Sequence, residues 1–301
     1  MITRTRKFKP DVAQIVTDQI MEALERGVVP WKKPWKAQLP QNMVSKMQYH
    51  GINLLLLSLS PYANPYFLTF NQIAEMEGAV IAGSHGYRVI FWRMLEHVSP
   101  DGEVTEIPLM KYYTVFNLEQ CVGIPESRKP KTERLQFNPI EACEEVVEFM
   151  PEKPSFMVSN AAYYNRKEDA IGLPAKELFV NEEEYYSTMF HEMVHSTAHT
   201  KRLNRDGEQS MAYSEKYSME ELIAEIGSSF LSAHTGIAPR TIENQASYIA
   251  GWLKVLKGDK RFILSASAAA QKAVDYIMDE HQLDYNKCTW KGDYHECHER
   301  T

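Results

Sequence analysis

The sequence is short of cysteine, of long apolar runs and of overall positive charge, and each shortage narrows what the chain can be. Its four cysteines, Cys121, Cys143, Cys288 and Cys297, lack the dense spacing of a secreted disulfide scaffold. Reduced thiols and a cytoplasmic protein are the expectation. The longest apolar stretch, Ile52 to Leu57, is interrupted by Asn53 and followed by Pro61. A membrane span needs about 20 apolar residues, so none is expected. The basic start MITRTRKFKP leads into an amphipathic polar segment rather than an apolar one with a cleavage site, so no secretory signal is read there. The tail residues Cys288, His295, Cys297 and His298 fit no common zinc spacing and read as a polar end.

What is present is globular material. Of 301 residues, 44% are apolar and 24% charged, enough for two ordinary domains. The formal net charge of −7 is unevenly placed. Residues 1–124 carry 12 Lys+Arg against 11 Asp+Glu, residues 125–301 carry 21 against 29, and the first fifty alone carry 9 against 4. An N-terminal surface can therefore be locally basic, and local potential is what a polyanion meets on approach.

Helical spacing of Val12, Ile15, Val16, Ile20, Ala23 and Leu24, closed by Gly27, predicts a helix over 11–26. GINLLLL predicts a buried element, LTFNQIAEME a short helix, and YRVIFWRML with TEIPLMKYYTVFNLEQ a pair of strands. The N-terminal part is thus α+β. ESRKPKTERLQ, polar and flanked by prolines, is the best boundary. The domains are placed at 1–124 and 139–301, with a linker at 125–138. Beyond it, a helix from Pro139 to Pro151 precedes two expected strands, PSFMVSNAAYYN and KELFV. Asn181 is expected to cap a helix through EEEYYSTMFHEMVHSTAH, and a further helix is read from Ser218.

Within HEMVH, His191 and His195 are four apart on a helix, so both imidazoles leave one face and can converge on an ion. Glu192 beside them can act on a water. A zinc site also needs a third protein ligand. Position 201 is Lys201, which excludes the HExxHxxGxxH pattern, and His199 sits a turn too far along. SMEELIAE offers Glu221 and Glu225 on one helical face, as a ligand carboxylate and one that orients a ligand histidine from behind. Ser218 and Glu221 also spell a capping box, which would give Glu221 a purely structural task, and spacing alone leaves the two readings level.

HEMVH followed by EELIAE resembles the gluzincin metallopeptidases. YYSTMFHEMVHSTAHTKRLNR with EELIAEIGSSFL is more closely similar to the C-terminal metallopeptidase domain of the ArdC antirestriction family. VTDQIMEALERGVVPWKKPW, LPQN, YHGINLLLL, FLTFNQ, GYRVIFW and YTVFNLEQCVGIP match, in order, that family's N-terminal single-stranded-DNA-binding domain. The resemblance implies a mainly helical zincin-like domain after the α+β one, with His191, His195 and Glu221 as ligands of one zinc or other divalent ion. It also implies Glu192 as general base, Glu225 behind a ligand, and peptide hydrolysis on an unidentified protein. Tyr213 and Tyr217 are candidates for stabilising the oxyanion.

The segment PWKKPWK carries what a sequence-neutral grip on single-stranded DNA needs, flat rings beside cations: Trp31 and Trp35 with Lys32, Lys33 and Lys36. Both tryptophans can equally be core anchors. Lys46, Tyr49, His50, Asn53, Arg88 and Trp92 complete the candidate DNA-binding set. Ser45–Asn53 reads SKMQYHGIN where the family usually shows T-G-R-x-Y-R-G-I-N, so two basic side chains are missing.

Overall fold

The computed structural model describes residues 11–32, 39–62, 64–98, 104–130, 139–205, 213–237 and 245–279. Helix α1 (Val12–Glu25) starts where the Asp11 side chain accepts from the Gln14 backbone N–H, and it buries Val16, Ile20 and Leu24. A 3₁₀ turn, Pro30–Lys32, leads to strand β1 (Gln41–Asn42) and helix α2 (Ile52–Ser58), the buried element expected from GINLLLL. Gly51 caps α2 at φ 56°, ψ −130°, a conformation that essentially only glycine adopts, and its N–H donates to Gln271 Oε1 at 2.9 Å.

Strand β2 (Tyr66–Thr69) runs into helix α3 (Phe70–Glu75), fixed by a Thr69/Gln72 capping box, and β3 (Ala79–Val80) follows. The expected strand pair is a long antiparallel hairpin, β4 (Tyr87–Val98) with β5 (Val104–Asn117). It joins a sheet of order β1-β2-β5-β4, and β6 (Cys121–Val122) pairs with β3. As β4 is an edge strand, its outward backbone groups need partners. Asn53 supplies both at Ile90, accepting from the N–H at 2.6 Å and donating to the carbonyl at 2.8 Å.

Helix α4 (Pro139–Phe149) leads to a sheet of order β7-β9-β8: β7 (Ser155–Val158), β8 (Tyr163–Asn165) and β9 (Ala170–Leu173). KELFV is not a strand. Lys176–Leu178 forms a 3₁₀ turn, and the strand is the earlier AIGL, buried along its whole length. Helices α5 (Glu182–Ser196), α6 (Tyr213–Thr235), α7 (Gln245–Gly258) and α8 (Phe262–Ile277) follow among the described residues.

One apolar core joins the two halves, since α1 and α2 share it with α6, α7 and α8. Trp31, fully buried, meets Trp252 edge-on at 6.2 Å between ring centres. Thr17 donates to the Lys260 carbonyl at 2.7 Å, and Lys260 pairs with Asp11 at 2.5 Å. No helix among the described residues is long and apolar enough to cross a membrane.

Candidate metal centre and nucleic-acid surface

Asn181 caps α5 through the Glu184 N–H at 2.7 Å, and Glu182–Glu184 place negative charge at its positive end. Ten residues further on, the helix turns His191 and His195 toward α6. The two helices meet through Phe190, Met193, Val194, Leu222 and Ile226, all buried. They come so close at Gly227 that an added Cβ would stand 2.8 Å from Val194 Cγ2. That approach brings Glu221 to the histidines. His191 Nε2 and His195 Nε2 lie 3.1 Å apart, and the Glu221 carboxylate oxygens lie 3.7 Å and 3.6 Å from them.

Ligands about 2.0–2.1 Å from a tetrahedral ion stand ~3.3 Å from one another, so these spacings fit a divalent cation. Two imidazole nitrogens and a carboxylate facing one another form a donor set that such a cation would accept. Among the described residues, His191, His195 and Glu221 are the group of three or more that could hold a metal. Helix α6 begins at Tyr213, so Ser218 lies inside it and cannot be its N-cap. The capping-box reading of Glu221 therefore falls. Glu192 is buried at 8% exposure beside His191, and His199 accepts from the Lys201 N–H at 3.2 Å, outside the cluster.

The carboxylate behind His195 is Glu220, 3.5 Å from Nδ1, and Glu225, expected behind a ligand histidine, lies half-buried a turn further along α6. Burial opposes charge on His195, but Glu220, Glu221 and Glu192 around it outweigh burial and raise its pKa. Burial likewise pushes the Glu220 carboxyl up, and hydrogen bonds with His195 and Arg205 outweigh it. The side chains of Tyr213 and Tyr217 lie outside those described.

TKRLNR, beyond the histidines, is a structural clamp. Arg202, with no exposed side-chain surface, donates to the carbonyls of Ser196 (2.7 Å) and Glu152 (2.6 Å), to Tyr164 Oη (3.1 Å) and to Asp169. Tyr164 also donates to Asp169 at 2.8 Å. Burial works against ionisation of Asp169, but Arg202 and Tyr164 hold its pKa down at about 2.

The expected DNA-binding residues do not form one set. Trp31 is a core anchor that no base can reach. Asn53 spends both amide atoms on Ile90. Tyr49 packs edge-on against Phe67, and burial pushes its hydroxyl up to about 12. His50 is half-buried, with its pKa lowered by burial. Lys33, Trp35 and Lys36 lie outside the described residues, as does the side chain of Lys32. Lys46 is exposed, its Nζ 5.5 Å from the Tyr66 ring centre.

Arg88 and Trp92 stand on one face of β4, with Tyr112 of β5 on the same face by register. Trp92 is 55% exposed and Tyr112 37%, and the Arg88 guanidinium lies 5.7 Å from the Tyr112 ring centre. Sequence reasoning missed Tyr112, which pairs with Ile90 across the hairpin and so shares the face of Arg88 and Trp92.

Two family models match the chain, the N-terminal domain of anti-restriction factor ArdC over residues 10–116 and a zincin-like metallopeptidase over residues 145–269. The chain is 30% identical over 287 residues to an Escherichia coli DNA primase TraC but spans only 20% of that protein's length. It is 28% identical to y4eC, an uncharacterized protein of Sinorhizobium fredii, covering 96% of this chain and 98% of that one. The metal-free crystal structure of the antirestriction ArdC protein from the R388 plasmid superposes with a TM-score of 0.74 at 34% identity, covering 90% of this chain and 97% of that one. The Mn(II)-bound structure of the same protein gives 0.72. With both halves matched in order and a solved relative spanned almost end to end, the chain belongs to the ArdC antirestriction family.

Proposed function

We propose that this chain binds single-stranded DNA through its N-terminal half and carries a zinc metallopeptidase site in its C-terminal half. In this reading it acts in the cytoplasm to protect incoming mobile-element DNA from host restriction. The convergence of His191, His195 and Glu221 beside a buried Glu192, in an ArdC-family chain, carries the reading. His191, His195 and Glu221 would hold the ion. A bound zinc ion supplies Lewis acidity and brings the pKa of water down to about 7. Glu192 takes the proton of the attacking water and delivers it to the leaving amine. Arg88, Tyr112 and Trp92 offer stacking rings beside a cation, the chemistry of a sequence-neutral strand grip.

A second reading is a DNA-coating shield without hydrolysis, the metal site being structural or vestigial. The metal-free ArdC structure narrows this reading to a vestigial site, because the fold there stands without an ion. Glu192→Ala separates the two when metal content, strand binding and survival of transferred plasmid DNA in a restricting host are measured together. Hydrolysis predicts that metal and DNA binding persist while protection disappears; full protection by the variant leaves the shield.

A further inference from the structure

We propose that Glu220 and Arg205 are positioning residues for the metal centre, fixing the tautomer and ring orientation of His195. The inference rests on the reading that His191, His195 and Glu221 hold a divalent cation. An imidazole can ligate through Nε2 only when that nitrogen carries its lone pair, so the ring proton must sit on Nδ1. A carboxylate facing Nδ1 enforces this and stops the ring from turning. Glu220 Oε1 stands 3.5 Å from His195 Nδ1. Glu220 and Glu221 are consecutive on α6, so their side chains leave it about 100° apart. One meets the Nε2 side of His195 and the other its Nδ1 side.

Glu220 is itself held from outside both helices. Arg205 donates Nε to Glu220 Oε2 at 3.1 Å and Nη2 to Oε1, a two-pronged contact that a planar guanidinium suits. The same Nη2 donates to the Val194 carbonyl at 3.0 Å, and Nη1 to Thr197 Oγ1. Val194 precedes His195, and Thr197 is the C-cap of α5. Arg205 thus ties the carboxylate on α6 to the backbone turn of α5 that carries the ligand. Neither residue touches the ion site directly. A purely architectural pair, capping α5 and neutralising its own charge, would have no need to face Nδ1.

The test is metal binding by the full chain, stripped with a chelator and titrated with Co(II), read from its visible ligand-field band and from competition with a chelator of known affinity. Glu220→Ala is expected to weaken binding about 10- to 100-fold and to change the band. Glu220→Gln keeps an acceptor oxygen toward Nδ1 and is expected to retain most of the affinity. Because Glu220→Ala strands a buried Arg205, a double variant, Glu220→Leu with Arg205→Met, replaces the pair by apolar side chains that a core tolerates. It must bind weakly too, while folded by circular dichroism. Wild-type affinity and band in either folded variant overturn the assignment. Glu221→Ala identifies which claim has failed. Glu221-dependent binding that is indifferent to Glu220 removes only the positioning role, whereas wild type that does not bind, or binds equally without Glu221, removes the metal site and this inference together.

Discussion

In the α5–α6 pair, the candidate metal ligands leave two helices buried on their facing sides, and helical repeat fixes their direction. On the β4–β5 hairpin and in the strip before it, aromatic and basic side chains are just as plentiful. There, packing decides which reach solvent: Trp31 is sealed against Trp252 while Trp92 stands out. A site built from spacing on one helix survives translation from sequence to structure. A binding surface is what remains after the core has taken the aromatics it needs.

Trp31→Ala and Trp92→Ala test this contrast most strongly. Emptying the Trp31 site is expected to cost about 3–5 kcal/mol of stability, with strand affinity of the folded fraction unchanged. Trp92→Ala should leave stability alone and lose about 1–3 kcal/mol of single-strand binding. Denaturant unfolding and fluorescence anisotropy measure the two; a Trp31 variant that folds normally but no longer binds would reverse the comparison. Arg202→Ala leaves Asp169 half-buried without its main partner and should cost about 3 kcal/mol. In wild type, the contribution of Asp169 is present above its unfolded pKa of about 4 and lost as pH falls toward about 2. The variant's acid-unfolding curve should lack that component.

Gly227→Ala asks how much of the metal centre depends on helix approach. The added methyl meets Val194 at 2.8 Å, and the overpacking cost of about 1–3 kcal/mol outweighs a helix-propensity gain of about 1 kcal/mol. Stability and metal affinity should fall together, while DNA binding is spared. The smallest expected effect is a pH slope. Burial, with the charge of His50 adding to it, pushes His234 down to about 4. Between about pH 6.5 and 4 the unfolded chain takes a proton that the native His234 refuses, so stability falls as pH falls through that window. His234→Leu should flatten the slope in pH-dependent unfolding.

Much of this was legible from local pattern. Helix α1, the hairpin partners, α4 and α5 follow apolar periodicity and caps at Asp11 and Asn181. KELFV misled because strand-like composition says nothing about whether a sheet has a place for it, and β9 in AIGL had already taken that place. Ser218 looked like an N-cap because its residue type suits one, yet α6 starts five residues earlier. Glu220 was not singled out because nothing local marks it, and only the rotation of α6 against α5 brings it to His195.

By itself the sequence determined the elements whose geometry is local: a helix that must bring His191 and His195 to one side, a second that carries Glu221, and a hairpin of two strands. Only the tertiary structure decided which carboxylate backs His195, that Arg202 and Arg205 are clamps, and that Trp31 is core while Trp92 and Tyr112 are surface. The physical reason is range. Backbone hydrogen bonds and side-chain period act over a few residues and can be read along the chain, whereas burial and through-space pairing depend on segments far apart in sequence that meet only once the core has formed.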